Sequence, residues 1–94
     1  MSDSTQTTTA TWSVEIFISE RDGRTFADAR LHTGSPTHLV GTGSARLNPQ
    51  DSDVPEIGEE LAAARALSEL AHQLLAAAAD DIEGVTHQPV SLRE

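Results

Sequence analysis

The side chains best suited to chemistry in this chain are four histidines, a surplus of carboxylates and one glycine-rich run. Their spacing supports no reaction. His32 and His38 flank a turn signal, with Asp28 nearby, but no third and fourth ligand stands at zinc-site spacing. The chain has no cysteine, so thiolate chemistry and the usual structural zinc sets are excluded. His72 follows Glu69 by three residues on an expected helix, where an ordinary i,i+3 contact accounts for it. The adjacent carboxylates Glu59-Glu60 and Asp80-Asp81 diverge around a helix instead of converging on a substrate. Ser44 lacks a nucleophile elbow. Gly41-Thr42-Gly43-Ser44-Ala45-Arg46 opens like a dinucleotide fingerprint, but an arginine replaces the third glycine and no helix follows directly. The expectation is a protein that is not an enzyme, with no catalytic residue, metal or cofactor.

Three strands and one helix must position whatever these residues do. From Trp12 the sequence alternates strictly, with Trp12, Val14, Ile16 and Ile18 on one side and Ser13, Glu15, Phe17 and Ser19 on the other, the pattern of a half-buried strand. Asp22-Gly23 then predicts a two-residue type I′ hairpin, because both central positions of that turn need positive φ. The turn sets a register that pairs Ile18 with Ala27, Ile16 with Ala29 and Val14 with Leu31. On the other face Glu15 meets Arg30 as a salt pair, Phe17 lies opposite Asp28, and Phe26 is diagonal to Phe17. A three-residue loop would set Ile16 against Asp28 and bury an unpaired carboxylate.

A second turn at Gly34-Ser35-Pro36-Thr37 leads into a third strand over His38 to Leu47. Gly41 and Gly43 share one of its faces, where they admit a close-packed helix or mark a bulge; which face is inward stays open. After the loop Asn48 to Ser52, Asp53 is an N-cap with Pro55 and Glu56 in the first turn. The helix stripe is read as Ile57, Leu61, Ala64, Leu67, Ala71, Leu74 and Ala78, widened by Leu70, Leu75 and Ile82. The helix ends at Gly84, either unbroken or interrupted near Asp80. The fold class is therefore α+β: a three-stranded antiparallel sheet in β-β-β-α order, with one long helix packed on one face. The domain spans 12–84, between a disordered tail at 1–11 and an extended tail at 85–94.

Ninety-four residues with three aromatics leave room for one domain with a thin core, which dimerisation would help. Fifteen acidic residues against six arginines give a net charge of -9, which opposes nucleic acid and anionic lipid. Glu56, Glu59, Glu60, Glu69, Asp80, Asp81 and Glu83 make the helix an acidic ridge against a lone Arg65. The N-terminus has no signal-peptide pattern and no apolar run is long enough to span a bilayer, so the expected location is cytoplasmic, with no membrane contact.

The blocks Gly41 to Pro49, Pro55 to Leu61, Ala64 to Ser68 and Thr86-His87-Gln88-Pro89 resemble a small actinobacterial family of unknown function, over about Trp12 to Val90. The family's fold is likened to the double-stranded-RNA-binding domain. The resemblance implies a β-β-β-α monomer that forms a homodimer. Mycobacterial relatives in the hypoxia and dormancy response are likened to ribosome hibernation factors, so it also implies a stress-associated factor that binds a ribosomal or other protein partner. Phe17 and Phe26 on the open sheet face, with His87 and Pro89 in the tail, are the candidate contacts. The alternative is direct RNA binding through Arg21, Arg24, Arg30 and Arg46, which the acidic helix N-terminus opposes.

Overall fold

The Asp22-Gly23 pair organises the sheet. In the computed structural model, which describes residues 7–36, 38–46 and 55–92, both residues have positive φ, 54° and 73°. They join β1 (Ser13–Arg21) to β2 (Arg24–His32) in the expected antiparallel register, with Val14↔Leu31, Ile16↔Ala29 and Ile18↔Ala27 as partners. Strand β3 (Val40–Arg46) pairs with the far side of β2, so the sheet order is β1-β2-β3 and both outer strands are edges. The ladder extends one bond beyond β3, where the Leu31 amide donates to the Leu39 carbonyl at 3.0 Å. The expected N-cap Asp53, the loop Asn48 to Ser52 and the end of the third strand at Leu47 lie outside the described residues.

A single helix, α1 (Pro55–Thr86), runs across the sheet without a break at Asp80. It also runs through Gly84. The helix ends instead at His87, which takes the left-handed conformation (φ 60°) while its amide donates to the Glu83 carbonyl at 2.7 Å. Neighbouring hydrogen bonds, Thr86 Oγ1 to the Ile82 carbonyl and the Gln88 amide to Thr86 Oγ1, hold this end without a C-terminal glycine. The extended segment therefore begins at His87 and not at Val85. It turns back along the helix: the Val90 amide donates to the Glu83 carboxylate at 3.0 Å, and Val90 to Leu92 lie over His72, Leu75, Ala76 and Ala79.

The helix stripe differs in phase from the one its large residues suggest. Gly58, Ala62, Ala66 and Leu70 are buried, whereas Ile57, Leu61 and Leu67 are each more than 40% exposed. The cause lies on β3, whose inward positions are Gly41, Gly43 and Ala45. A Cβ on Gly41 would overlap the Ala66 carbonyl and the Leu70 backbone, and one on Gly43 would overlap Ala62 and Ala66. Glycines here admit a close-packed helix, and only small helix residues fit the resulting gap. The buried core is correspondingly thin: Ala27, Ala29, Leu31, Ala45, Ala62, Ala66 and Leu70. Because the helix rests on β3 and β2 and barely touches β1, it covers two strands of the sheet and not all three.

Candidate functional site

The two edges of the sheet are treated differently by the helix. At the β3 edge, three helix side chains spaced by four residues reach alternate residues of the strand. Arg65 donates to the Ser44 carbonyl at 2.8 Å, Glu69 accepts from the amide and hydroxyl of Thr42, and Gln73 donates to the Val40 carbonyl at 2.8 Å. The match is metric: four helical residues advance about 6 Å and two strand residues about 6.6 Å. Backbone groups that would template another strand are thereby occupied. Glu69 is thus turned to the strand, and His72 Nδ1 bonds the Ser68 carbonyl. Nor is every member of the acidic ridge simply solvated, since Glu69 and Glu83 each accept backbone amides.

The Thr42 amide, and after it the Thr42 hydroxyl, hold the Glu69 carboxyl below its ordinary range. A folded-state value below the unfolded one means stability that is present above the ordinary glutamate range and lost as pH falls through the lowered value. Glu69→Gln is expected to flatten that acid limb. Chemical denaturation of both proteins across a pH series checks it; parallel curves would show that the bonds carry no net linkage.

The β1 edge has no such seal. Val14, Ile16 and Ile18 point to the helix side of the sheet, yet they remain 38–42% exposed because the helix stops short of them. Trp12 continues the row and forms, with Ala71, Leu74, Leu75 and Ala78, an apolar groove of about 560 Å³. The result is an apolar shelf bounded by an open strand edge, with the flank from Leu67 to Ala78 as its wall. Glu69 is the sole carboxylate in that helix segment, and it is turned to Thr42. Sequence alternation marked Val14, Ile16 and Ile18 as inward, but nothing local showed that they would stay uncovered.

The outer sheet face carries the other expected residues. Strand alternation and the observed registers place Arg21, Arg24 and Arg46 in one row across all three strands, since Arg24 is the Cα partner of both others. Ser19, Phe26 and Ser44 form the next row, then Phe17, Asp28 and Thr42, then Glu15, Arg30 and Val40. Arg21 lies over the Phe26 ring at 5.2 Å and Arg30 over the Phe17 ring at 4.6 Å. The expected Glu15–Arg30 salt pair is replaced: the Glu15 carboxylate bonds His32 Nε2 at 2.8 Å, leaving the guanidinium to the ring. His32 and His38 come together, with ring centroids 6.1 Å apart, but Asp28 is not with them, and no cluster of three metal-ligating residues occurs among the described residues. His87 and Pro89 follow the helix, which packs on the face opposite to Phe17 and Phe26. The structure therefore does not gather the four candidate contacts into one site.

A three-stranded antiparallel sheet, crossed on one face by a long helix through a glycine-alanine contact and open on the other, defines a class of small α+β proteins. The chain belongs to the Rv2632c-like family, which it matches over residues 10–91. It is 54% identical over 81 residues to the uncharacterized protein Mb1767 of Mycobacterium bovis, covering 86% of this chain and 85% of that protein. Against the uncharacterized protein Rv2632c of Mycobacterium tuberculosis the identity is 52% over 81 residues, with 86% of each chain covered. The crystal structure of Rv2632c superposes with a TM-score of 0.81 at 48% identity, covering 90% of this chain and all of that one. No helix among the described residues is long and apolar enough to cross a membrane.

Proposed function

We propose that this protein is a non-enzymatic binding factor that works as a homodimer and engages a protein or ribosomal partner in the cytoplasm. The observation that carries the reading is the asymmetry of the sheet: the β3 edge is sealed by Arg65, Glu69 and Gln73, whereas β1 offers both an open edge and an uncovered apolar face. Seven apolar residues are buried among the described residues, and five of them, Ala27, Ala29, Ala45, Ala62 and Ala66, contribute little area each, which makes a small core for a chain of this length. A second copy brought to β1 completes that core and occupies the edge. Strand β1 extends about 30 Å, long enough for an interface of about 800 Å² per partner.

By family resemblance the factor acts in growth arrest, with a fold like that of double-stranded-RNA-binding domains and a role parallel to that of ribosome hibernation factors. Light scattering of the purified chain across a concentration series tests the assembly. A dimer is expected, and a monomer at every concentration would overturn the reading. Ribosomal subunits recovered with the tagged protein from growth-arrested cells, and absent with a shelf variant, would identify the partner.

A second reading, direct RNA binding through the strand arginines, is favoured by one observation. Arg21, Arg24 and Arg46 stand side by side on the open face although the chain as a whole is acidic.

A further inference from the structure

The outer sheet face inverts the charge of the molecule. Four of the six arginines, Arg21, Arg24, Arg30 and Arg46, lie on it, against Glu15 and Asp28 from a total of fifteen carboxylates. Glu15 is engaged by His32, and none of the four guanidiniums reaches a carboxylate among the described residues. Asp22, in the turn beside the row, makes no ion pair with them either. Like charges directly opposite one another on neighbouring strands are destabilising. In a chain with so many carboxylates, a row of three arginines with no carboxylate partner among the described residues concentrates positive charge along one border of the face.

The rows behind it specify the kind of anion. Phe26 sits directly behind Arg24, and Phe17, 48% exposed, lies diagonally beyond it. The Arg21 and Arg30 guanidiniums lie over the rings of Phe26 and Phe17, and a base can stack on such a planar cation–ring pair as it does on a bare ring. Such a surface offers phosphate contacts along one border and stacking positions inward from it. Single-stranded nucleic acid presents both phosphates and free base faces, while a duplex hides its bases in the stack. The face is also shallow and bordered by short side chains at Ser19, Thr42 and Ser44, so a flat base can approach the ring–guanidinium pairs. The acidic helix lies on the opposite side of the sheet, and screening at physiological salt confines its field to about 8 Å.

We propose that the outer sheet face binds single-stranded nucleic acid, with backbone phosphates on the Arg21–Arg24–Arg46 row and bases stacked at Phe26 and Phe17. The inference rests on the second reading above and specifies its ligand and contact surface. Fluorescence anisotropy of the full chain with a labelled mixed-sequence RNA of about twenty nucleotides, alone or annealed to its complement, tests it. The single strand binds at least about tenfold more tightly than the duplex, and its affinity falls with salt at a log–log slope of about −2, the value for three phosphates. Arg24→Gln reduces that slope by about 0.7, and Phe17→Ala weakens the single strand by about fivefold or more without changing the slope. Helical circular dichroism verifies each fold, and Arg46→Gln serves in place of Arg24→Gln if the latter unfolds. Equal binding of duplex and single strand, or a Phe17→Ala variant that binds normally, overturns the single-strand assignment and leaves arginine-mediated RNA binding standing. No salt-dependent binding of either RNA overturns both.

Discussion

Gly41→Val is expected to lower the unfolding free energy by about 3 kcal/mol or more, a large part of the stability of a domain this small. The branched side chain would have to occupy space held by the Ala66 carbonyl and the Leu70 backbone. Backbone cannot swing aside as a flexible side chain does, so the helix must lift from β3. Lifting it also strains the bonds from Arg65, Glu69 and Gln73 to that strand. The comparison that isolates this cause is Gly84→Ala. A Cβ on Gly84 meets nothing within 4 Å, its φ is not positive, and it lies inside the helix, so alanine there is expected to stabilise by about 0.5–1 kcal/mol. Urea denaturation measures both. Similar small losses for the two variants would mean that the close helix-strand contact is not what holds the fold.

Ile16→Asp is expected to release the proposed β1 dimer, raising its dissociation constant by about a hundredfold, or about 2.7 kcal/mol. Ile16 lies at the middle of β1, half-exposed in the monomer, so an aspartate there remains hydrated until a second copy covers it. The cost therefore falls mainly on association, because burying an unpaired carboxylate is expensive. Phe17, the next residue, faces the other side of the sheet. The double variant Phe17→Ser and Phe26→Ser is expected to leave the proposed dimer within about twofold of its original affinity, while removing the proposed stacking positions on the outer face. Sedimentation equilibrium distinguishes the two. If the phenylalanine variant dissociates and Ile16→Asp does not, the copies meet through the outer face, where the ring pair first suggested an interface.

The hairpin was legible because its determinants are local. Asp22 and Gly23 supply the positive φ values, the turn sets the pairing, and period-two alternation confirms that pairing residue by residue. Strand reading grouped Arg21, Arg24, Arg30 and Arg46 as one set, but Gly41 and Gly43 left the inward face of β3 open, so the side on which Arg46 stands came only from the fold. Large apolar residues misplaced the helix stripe for a related reason: Ile57, Leu61 and Leu67 score as core only if the helix has space to bury them. Gly84 looked like a terminus by type, yet the termination was decided at His87 by the chain's return toward Glu83. Glu15 had a charged neighbour across the strand pair and a histidine within reach, and side-chain geometry chose the histidine.

Residue order alone therefore determined the element sequence, the first strand pairing and the acidic character of the helix, since each depends on neighbours in the chain or across one short turn. Tertiary structure decided which helix face is buried, which sheet edge is sealed and which arginines stand together. Those outcomes depend on how closely two backbones approach, a distance set jointly by Gly41 and Gly43 on one element and by Gly58, Ala62 and Ala66 on another. Steric fit between surfaces remote in sequence has no periodic signature, so it becomes visible only when the two surfaces meet.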